Sequence, residues 1–534
     1  MTAYLIAIYI VCGAYMLLNF KHDIHMLQQN SYRIPRYWRY LSKGDRMSSW
    51  RLVDVALLLL LYSTLLMPRL NELIVAFICL AKIILILRRK FKKPLVFTKR
   101  VWRIYGLTAF LAAGAVIAEA ICFGNRADVL WQYSGVDLTL GTILLLSIFS
   151  WIVVILAVWL LSPVERHIND GFRKDASRIL ASMPDLKIIG ITGSYGKTST
   201  KHYLHRILSE EYDTLMTPGS YNTTMGVIRT IREYLKPYNQ VFICEMGAKQ
   251  LGDIKEICEL VHPEIGIVTA VGPMHLETFG SIENVCKTKF ELVDSLPSDG
   301  LAVVNNDFPA SASRKIDNVN VVRYGASPNT KGCDFWASDI TYGPEGTAFV
   351  VNGPNGFRLA LQTKLVGECN ISNLVAAVIV ALRLEVPEEK IRYAVASIEQ
   401  VEHRLNVKRT PGGITIIDDA FNSNPSGSRM AVDVLSGFRE GRRIIVTPGM
   451  IELGEQQYEL NKELGRHIAT NVDKAVIVGE YNREALLEGL RAGGMKEEMI
   501  EVVGSFAESQ LFLSGFMRAG DTVLYENDLP DSFK

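Results

Sequence analysis

Five apolar stretches crowd the first third of the chain, at about residues 2–20, 52–67, 70–87, 104–123 and 138–162. In lipid a backbone N–H or C=O has no water to bond, so a segment of about 20 apolar residues can cross only as a helix or in a closed barrel. Apolar runs this long, unbroken by polar alternation, read as helices, and residues 1–162 are expected to form an α-helical membrane domain of about five transmembrane helices. The second stretch is short and the third carries Lys82, with Pro68 between them, so this pair is either two full spans or a re-entrant hairpin. Two loops are basic. One holds Lys21, Arg33, Arg36, Arg39, Lys43, Arg46 and Arg51; the other holds Arg88, Arg89, Lys90, Lys92, Lys93, Lys99, Arg100 and Arg103. The remaining loops hold only Arg69 and Arg126. Positive loops stay on the cytoplasmic side. Five spans then leave the N-terminus outside and everything after Pro163 inside. Met1–Leu5 has no basic residue and no A-x-A-like site follows the first run, which does not fit a cleaved signal peptide. Asp54 and Glu119 are ionisable residues within apolar runs. They are either functional or placed near helix ends, where they can reach the interface.

The remainder is an ordinary soluble sequence. The 534 residues carry a formal net charge of +1, which gives no electrostatic reason to expect a nucleic-acid partner. None of the eight cysteines (Cys12, Cys79, Cys122, Cys244, Cys258, Cys286, Cys333, Cys369) forms a CxxC pair, so buried thiols fit better than a disulfide frame or zinc site. Residues 163–185 read as an amphipathic connector, with Pro163 suited to a first helical turn and apolar residues from Val164 to Leu180 at helical spacing. Strand-like runs at Lys187–Ile191, Val241–Cys244, Ile265–Val268 and Leu301–Val304 then alternate with helix-like ones such as Thr198–Leu208 and Asn284–Leu296. A second set follows at Thr415–Ile417, Arg443–Val446, Ala475–Val478, Glu501–Val503 and Thr522–Leu524. Alternation of this kind predicts two α/β domains with parallel sheets, 186–399 and 400–534. The stretch 325–364 reads as a β-rich insertion.

Ile188–Ile191 runs into Thr192-Gly193-Ser194-Tyr195-Gly196-Lys197-Thr198-Ser199 and then a helix. A strand, a glycine loop and a helix N-terminus present backbone N–H groups and a positive helix end to phosphate. In a phosphate loop Lys197 reaches the β/γ-phosphates and the Thr198 hydroxyl binds Mg²⁺. The alternative is a glycine-rich turn with a surface lysine.

More segments follow in order: Thr217–Thr223, Cys244-Glu245-Met246-Gly247-Ala248, Gly272–Glu277, Lys287-Thr288-Lys289-Phe290-Glu291, Gly367–Asn373, Asp418–Pro425 and Met450-Ile451-Glu452-Leu453-Gly454. Together with the loop, they make residues 185–525 resemble the Mur ligases, enzymes that add amino acids to the peptidoglycan precursor, and among them the branch that adds D-alanyl-D-alanine. The resemblance implies a P-loop central ATP-binding domain, a Rossmann-like C-terminal domain and an ATP-dependent amide ligase that forms an acyl-phosphate. It implies that Gly193, Ser194, Tyr195, Gly196, Lys197, Thr198, Ser199, Asn370, Asn373, Arg404 and Asp419 contact ATP. It also implies that Lys197, Glu245, His275 and Lys289 carry the catalysis, that Thr198 and Glu245 bind a first Mg²⁺, and that His275 and a carbamylated Lys289 hold a second. Read without the family, His275 is a packed or solvated histidine, Lys289 a surface charge, Glu291 a helix-face acid, the two asparagines helix caps and Asp418-Asp419 a strand-end turn.

The chain departs from the family's pattern at several points. The membrane region stands where the family has its UDP-sugar-binding domain. Cys369 replaces the usual His, Phe421 the usual Tyr, and Pro448-Gly449 the usual Gly-Asp. The late Lys-Gly-Ser-type segment, which helps choose the incoming amine, reads Glu526-Asn527-Asp528-Leu529-Pro530-Asp531. That acidic segment either favours another, cationic amine or is a surface loop. The expected partners are an amino acid or peptide amine and a carboxylate-bearing acceptor that is lipid-linked or polysaccharide. Envelope-assembly membrane proteins are further possible partners, and the expected location is a bacterial cytoplasmic membrane. The alternatives are a poly-γ-glutamate-type synthase and a non-catalytic ATP-binding scaffold.

Overall fold

The computed structural model describes every residue except 1, 44–48, 64–67, 90, 92, 135–137, 327–331, 344–345, 421–422 and 530–534. Arg46, Lys90, Lys92, Phe421, Asn422, Pro530 and Asp531, named above, lie outside the described residues. The chain divides into two compact units, residues 1–170 and 171–529.

The first unit is helical. Among the described residues, four helices are long and apolar enough to cross a membrane: Tyr4–Gln29, Arg69–Arg88, Lys99–Cys122 and Ser150–Ala181. The sequence alone predicts about five. The second apolar stretch forms the 13-residue helix Ser49–Leu61, which at 1.5 Å per residue rises only about 20 Å against a hydrocarbon core of about 30 Å. The last stretch divides at Phe149 into Leu138–Ile148 and Ser150–Ala181. Pro163 does not open a separate connector helix but lies inside the 32-residue helix Ser150–Ala181. A proline there removes one backbone hydrogen bond. The helix is held on both sides of it, by buried Val154, Ala157 and Val158 before and by Glu165 accepting from Arg103 at 2.6 Å after.

Asp54 does not reach for an interface. It is buried, paired with Lys82 Nζ at 2.5 Å, and it accepts the Tyr15 hydroxyl at 2.9 Å. Asn19 donates to Ser147 and Ser150 to Asp23, each at 2.5 Å, so the helix Thr2–Gln29 is tied by polar side chains to several neighbours. Glu119 accepts from Thr139 at 3.1 Å.

The second unit contains two sheets. The first runs through β1 (Lys187–Thr192), β2 (Thr214–Met216), β3 (Val241–Glu245), β4 (Ile265–Val268), β5 (Leu301–Asn305), β6 (Asn320–Gly325), β7 (Phe335–Gly343), β8 (Gly346–Asn352) and β9 (Arg358–Thr363), in the order β2-β3-β1-β4-β5-β6-β7-β8-β9. Pairing is parallel through β7, and β8 and β9 return antiparallel. The stretch expected as an insertion is therefore the continuation of this sheet. The central strands β1, β3, β4 and β5 are buried on both faces, as parallel strands are. Ile189, Ile191, Val241 and Ile243 pack with the helices Lys197–Leu208 and Glu368–Arg383, whereas Ile188, Phe242 and Cys244 face the helices of residues 253–261 and 282–294.

The second sheet, β10 (Asn406–Arg409), β11 (Thr415–Asp419), β12 (Arg443–Thr447), β13 (Lys474–Val478), β14 (Ile500–Val503) and β15 (Thr522–Glu526), has the order β10-β11-β15-β12-β13-β14. Only β10 is antiparallel. This is the parallel α/β sheet that alternating strands and helices predicted, in the Rossmann-like arrangement that the resemblance implied.

Candidate active site

In open parallel sheets ligands meet the carboxyl ends of the strands. Here β1 ends in the glycine loop, β3 ends at Glu245 and β4 leads into Thr269-Ala270. Register decides what meets what: Ile191 lies opposite Glu245 and Thr192 opposite Val268. A slip of one residue would turn Glu245 to the other face of the sheet. Ser194 N donates to Ala270 O at 2.7 Å, and its hydroxyl donates to Gly272 O at 3.0 Å, so the loop is fastened to the segment after β4. The Tyr195 hydroxyl donates to Pro273 O at 2.9 Å, and Ser199 is buried. Gly196 adopts φ +77°, and a Cβ there would strike the Asn373 amide, so glycine is required on two counts.

Lys197 folds over the loop, its Nζ 2.7 Å from Gly193 O and 3.4 Å from Ser194 O. Burial pushes its ammonium down to about 8, with Arg404 adding to the fall and Glu245 opposing it. The Thr198 hydroxyl lies 3.2 Å from both oxygens of Glu245. Asn222 Nδ2 donates to Glu245 Oε1 at 3.1 Å, and Lys201 Nζ meets Oε2 at 3.0 Å. Burial alone would raise the Glu245 pKa, but Lys201 and Lys197 hold it below the ordinary carboxylate value. The result is a charged carboxylate beside a hydroxyl.

Lys289 is 2% exposed on the helix Ile282–Asp294. It is no surface charge. Burial and, next, the charge of Lys197 push it down to about 7. His275 adopts φ +52° at the start of a short helix, and its Nδ1 is paired with Glu452 of the Rossmann-like domain. Burial lowers its pKa against the pull of Glu452. Glu291 caps a neighbouring helix, accepting Gly252 N at 2.7 Å and Lys255 N at 3.0 Å. Arg404 lies within the electrostatic reach of Glu245 and Asp419. Burial and the neighbouring Glu526 push Asp419 up to about 7.

Two readings need correction. Asn370 and Asn373 do not cap a helix; Gly367 does, and both asparagines are buried inside Glu368–Arg383. Asn370 accepts the Tyr203 hydroxyl at 2.8 Å and Asn373 the Thr200 hydroxyl at 3.1 Å, so they brace the helix behind the glycine loop. The late acidic segment is not a surface loop at its start. Glu526 is 1% exposed and accepts the hydroxyls of Ser423, Ser428 (2.7 Å) and Thr447 (2.5 Å). It ties the Ser423 loop, the helix Pro425–Ser436 and the end of β12 together beside Asp419.

Sequence reasoning missed Lys201 and the specific contact of Asn222 with Glu245. The spacing offered one signal: Lys201 lies four residues after Lys197, on the same face of the helix.

The donor chemistry fits a magnesium ion at Thr198 and Glu245. Among the described residues no three His, Cys, Asp or Glu side chains gather, and Mg²⁺ commonly takes one or two protein oxygens and completes its shell with water and phosphate. Lys289 as it stands has no oxygen to offer a second ion.

Residues 191–381 match the Mur ligase middle domain and residues 403–525 the Mur ligase glutamate ligase domain. The UDP-N-acetylmuramoyl-tripeptide–D-alanyl-D-alanine ligase of Mycobacterium tuberculosis is 31% identical over 362 residues, 62% of this chain and 69% of that protein. The Bacillus subtilis enzyme of the same name is 26% identical over 348 residues, 64% and 72% of the two chains. MurF from Thermotoga maritima, solved in complex with ADP, superposes with a TM-score of 0.60 at 26% identity over 67% of this chain and 80% of that one. The chain belongs to the Mur ligase family and is an ATP-dependent ligase that forms carbon–nitrogen bonds.

Proposed function

We propose that this ligase joins an amino acid or peptide amine to a carboxylate on a cell-envelope precursor held at a membrane, lipid-linked or polysaccharide, with the helical unit as a multi-pass anchor. The curated relatives are named as ligases of D-alanyl-D-alanine to a UDP-linked tripeptide, and a dipeptide amine is the first candidate here. The observation that carries the reading is the arrangement of Lys197, Thr198 and Glu245 around the glycine loop, with Lys289 buried nearby. The four long apolar helices ahead of the matched region support the membrane part.

In this reading an acceptor carboxylate oxygen attacks the γ-phosphorus and ADP leaves. The amine nitrogen then attacks the acyl carbon, inorganic phosphate leaves and the amine gives up a proton. Several anionic oxygens must converge, so fixed positive charge supplies much of the catalysis. Lys197 and Arg404 provide it from two domains. Mg²⁺ held by Thr198 and Glu245 would add electrostatic stabilisation of the phosphates. Lys289, at about 7, keeps a large neutral fraction at physiological pH. A neutral amine can add CO₂, losing a proton to become a carbamate, which turns the lysine into an anionic oxygen donor that could join His275 at a second Mg²⁺.

The full chain in detergent, given ATP, Mg²⁺ and a panel of amines, tests the proposal by phosphate release. The acceptor is either a membrane lipid extract or a soluble UDP-linked peptide. Amine-dependent release with the lipid extract is expected. Release with the soluble acceptor alone overturns the membrane-held acceptor. Growing chains from glutamate alone would favour a poly-γ-glutamate-type synthase. No amine-dependent release from any acceptor, with Lys289→Ala matching wild type, overturns the catalytic assignment.

A further inference from the structure

The helix after the glycine loop carries a second lysine with no place in the chemistry above. Lys201 has a side-chain exposure of 0%, and its Nζ lies 3.0 Å from Glu245 Oε2 and 2.6 Å from Gly219 O. A fully buried ammonium is costly unless paired, and here both of its contacts go to one place. Glu245 Oε2 is taken by Lys201, and Oε1 accepts Asn222. The Thr198 hydroxyl is equidistant from the two oxygens. Gly219 belongs to the loop that delivers Asn222, and that loop is further pinned where Thr217 Oγ1 accepts Glu245 N at 3.1 Å. The carboxylate therefore cannot rotate or withdraw without breaking a buried ion pair.

We infer that Lys201 is a positioning residue that holds Glu245 against Thr198 in the orientation a phosphate-bound divalent cation requires. It touches neither nucleotide nor cation itself. One face of the helix thus divides two tasks between lysines four residues apart: Lys197 lies over the loop, and Lys201 points back to the end of β3. The inference rests on the reading of Thr198 and Glu245 as the magnesium ligands. Partners that orient metal ligands typically change metal affinity 10–100-fold when removed.

The test is equilibrium binding of ATP to the full chain in detergent, with Mg²⁺ and with EDTA, for wild type, Glu245→Gln, Lys201→Met and Lys201→Arg. The readout is the ratio of the two affinities. Wild type should bind more tightly with Mg²⁺. Lys201→Met should lose about tenfold or more of that enhancement while keeping its affinity in EDTA, and Lys201→Arg should restore part of it. A residue that merely supports the fold would lower both affinities together. Lys201→Met with the wild-type ratio, or with equal losses in both buffers, overturns the inference. If Lys201→Met fails to fold, Lys201→Arg decides: a folded variant with an unchanged orientation would keep the ratio, and the inference requires the longer, forked side chain to shift it by at least a few fold. A wild-type chain with no magnesium enhancement would instead remove the magnesium reading of Glu245, and the inference with it.

Discussion

Replacing Lys289 by Met should stabilise the soluble unit while abolishing ligase activity. The ammonium is 2% exposed, and its pKa falls from 10.5 to about 7. Between those values the unfolded chain binds more protons than the folded one, so stability rises with pH across that window. The penalty is fully present below about 7 and gone above about 10.5. At about 1.4 kcal/mol per pH unit, with the folded group half protonated at pH 7, it amounts to about 4 kcal/mol there. Methionine keeps the unbranched stem, carries no charge and can rest near the Phe279 ring, 5.9 Å from the lysine Nζ. Unfolding entropy of about 2 cal/mol/K per residue over residues 171–529 converts 4 kcal/mol into about 5 °C. Thermal melts of the full chain should be followed from pH 6.5 to 10 in CO₂-free buffer with EDTA, so that neither carbamylation nor metal intervenes. The Met variant should melt higher at pH 7, and the gap should close as the pH approaches 10. A variant that melts lower throughout, or a gap independent of pH, would refute the reasoning.

Three further outcomes are expected. Gly196→Ala forces a Cβ onto φ +77° and into the Asn373 amide, so it should cost about 1–2 kcal/mol in backbone strain alone and weaken ATP binding at least tenfold by direct titration. Asp54→Leu or Lys82→Leu alone strands a buried charge and should destabilise the helical unit by about 3–5 kcal/mol, whereas the double variant should recover most of that, read from detergent melts. Glu526→Gln exchanges a carboxylate that accepts three hydroxyls for an amide, at about 1.5–3 kcal/mol for each charged bond weakened. Removing that charge also lets the Asp419 pKa fall from about 7, so an acid limb of the activity profile that depends on Asp419 should move to lower pH.

Much of this was readable from the chain. The strand Ile265–Val268 was placed to the residue, because four apolar residues between a proline-glutamate turn and a polar loop leave few alternatives. The strands β1, β3, β5, β11, β12, β13, β14 and β15 match their expected runs to within two residues, whereas the parallel strands β2 and β6, which are only partly buried, have no counterpart in the sequence reading. Long-range pairing was not legible in the same way. Residues 325–364 read as an insertion because their composition is that of exposed β-structure; only pairing with β6 made them the end of the central sheet. The asparagines face the nucleotide by resemblance and read as caps by local geometry alone, and only the packing of Glu368–Arg383 on Lys197–Leu208 shows them turned to Tyr203 and Thr200.

The sequence by itself determined that the front of the chain is helical and that a phosphate loop follows the first strand. Both are local consequences: apolar length forces internal backbone bonding, and glycines beside a helix start create a phosphate cradle. Only the tertiary structure decided how that cradle is charged. The register of β1 against β3 brings Glu245 to Thr198, folding buries Lys201 and Lys289, and the Rossmann-like domain delivers Glu452 to His275. Electrostatics between buried groups depends on distance and desolvation, and neither is a property of any one stretch of sequence.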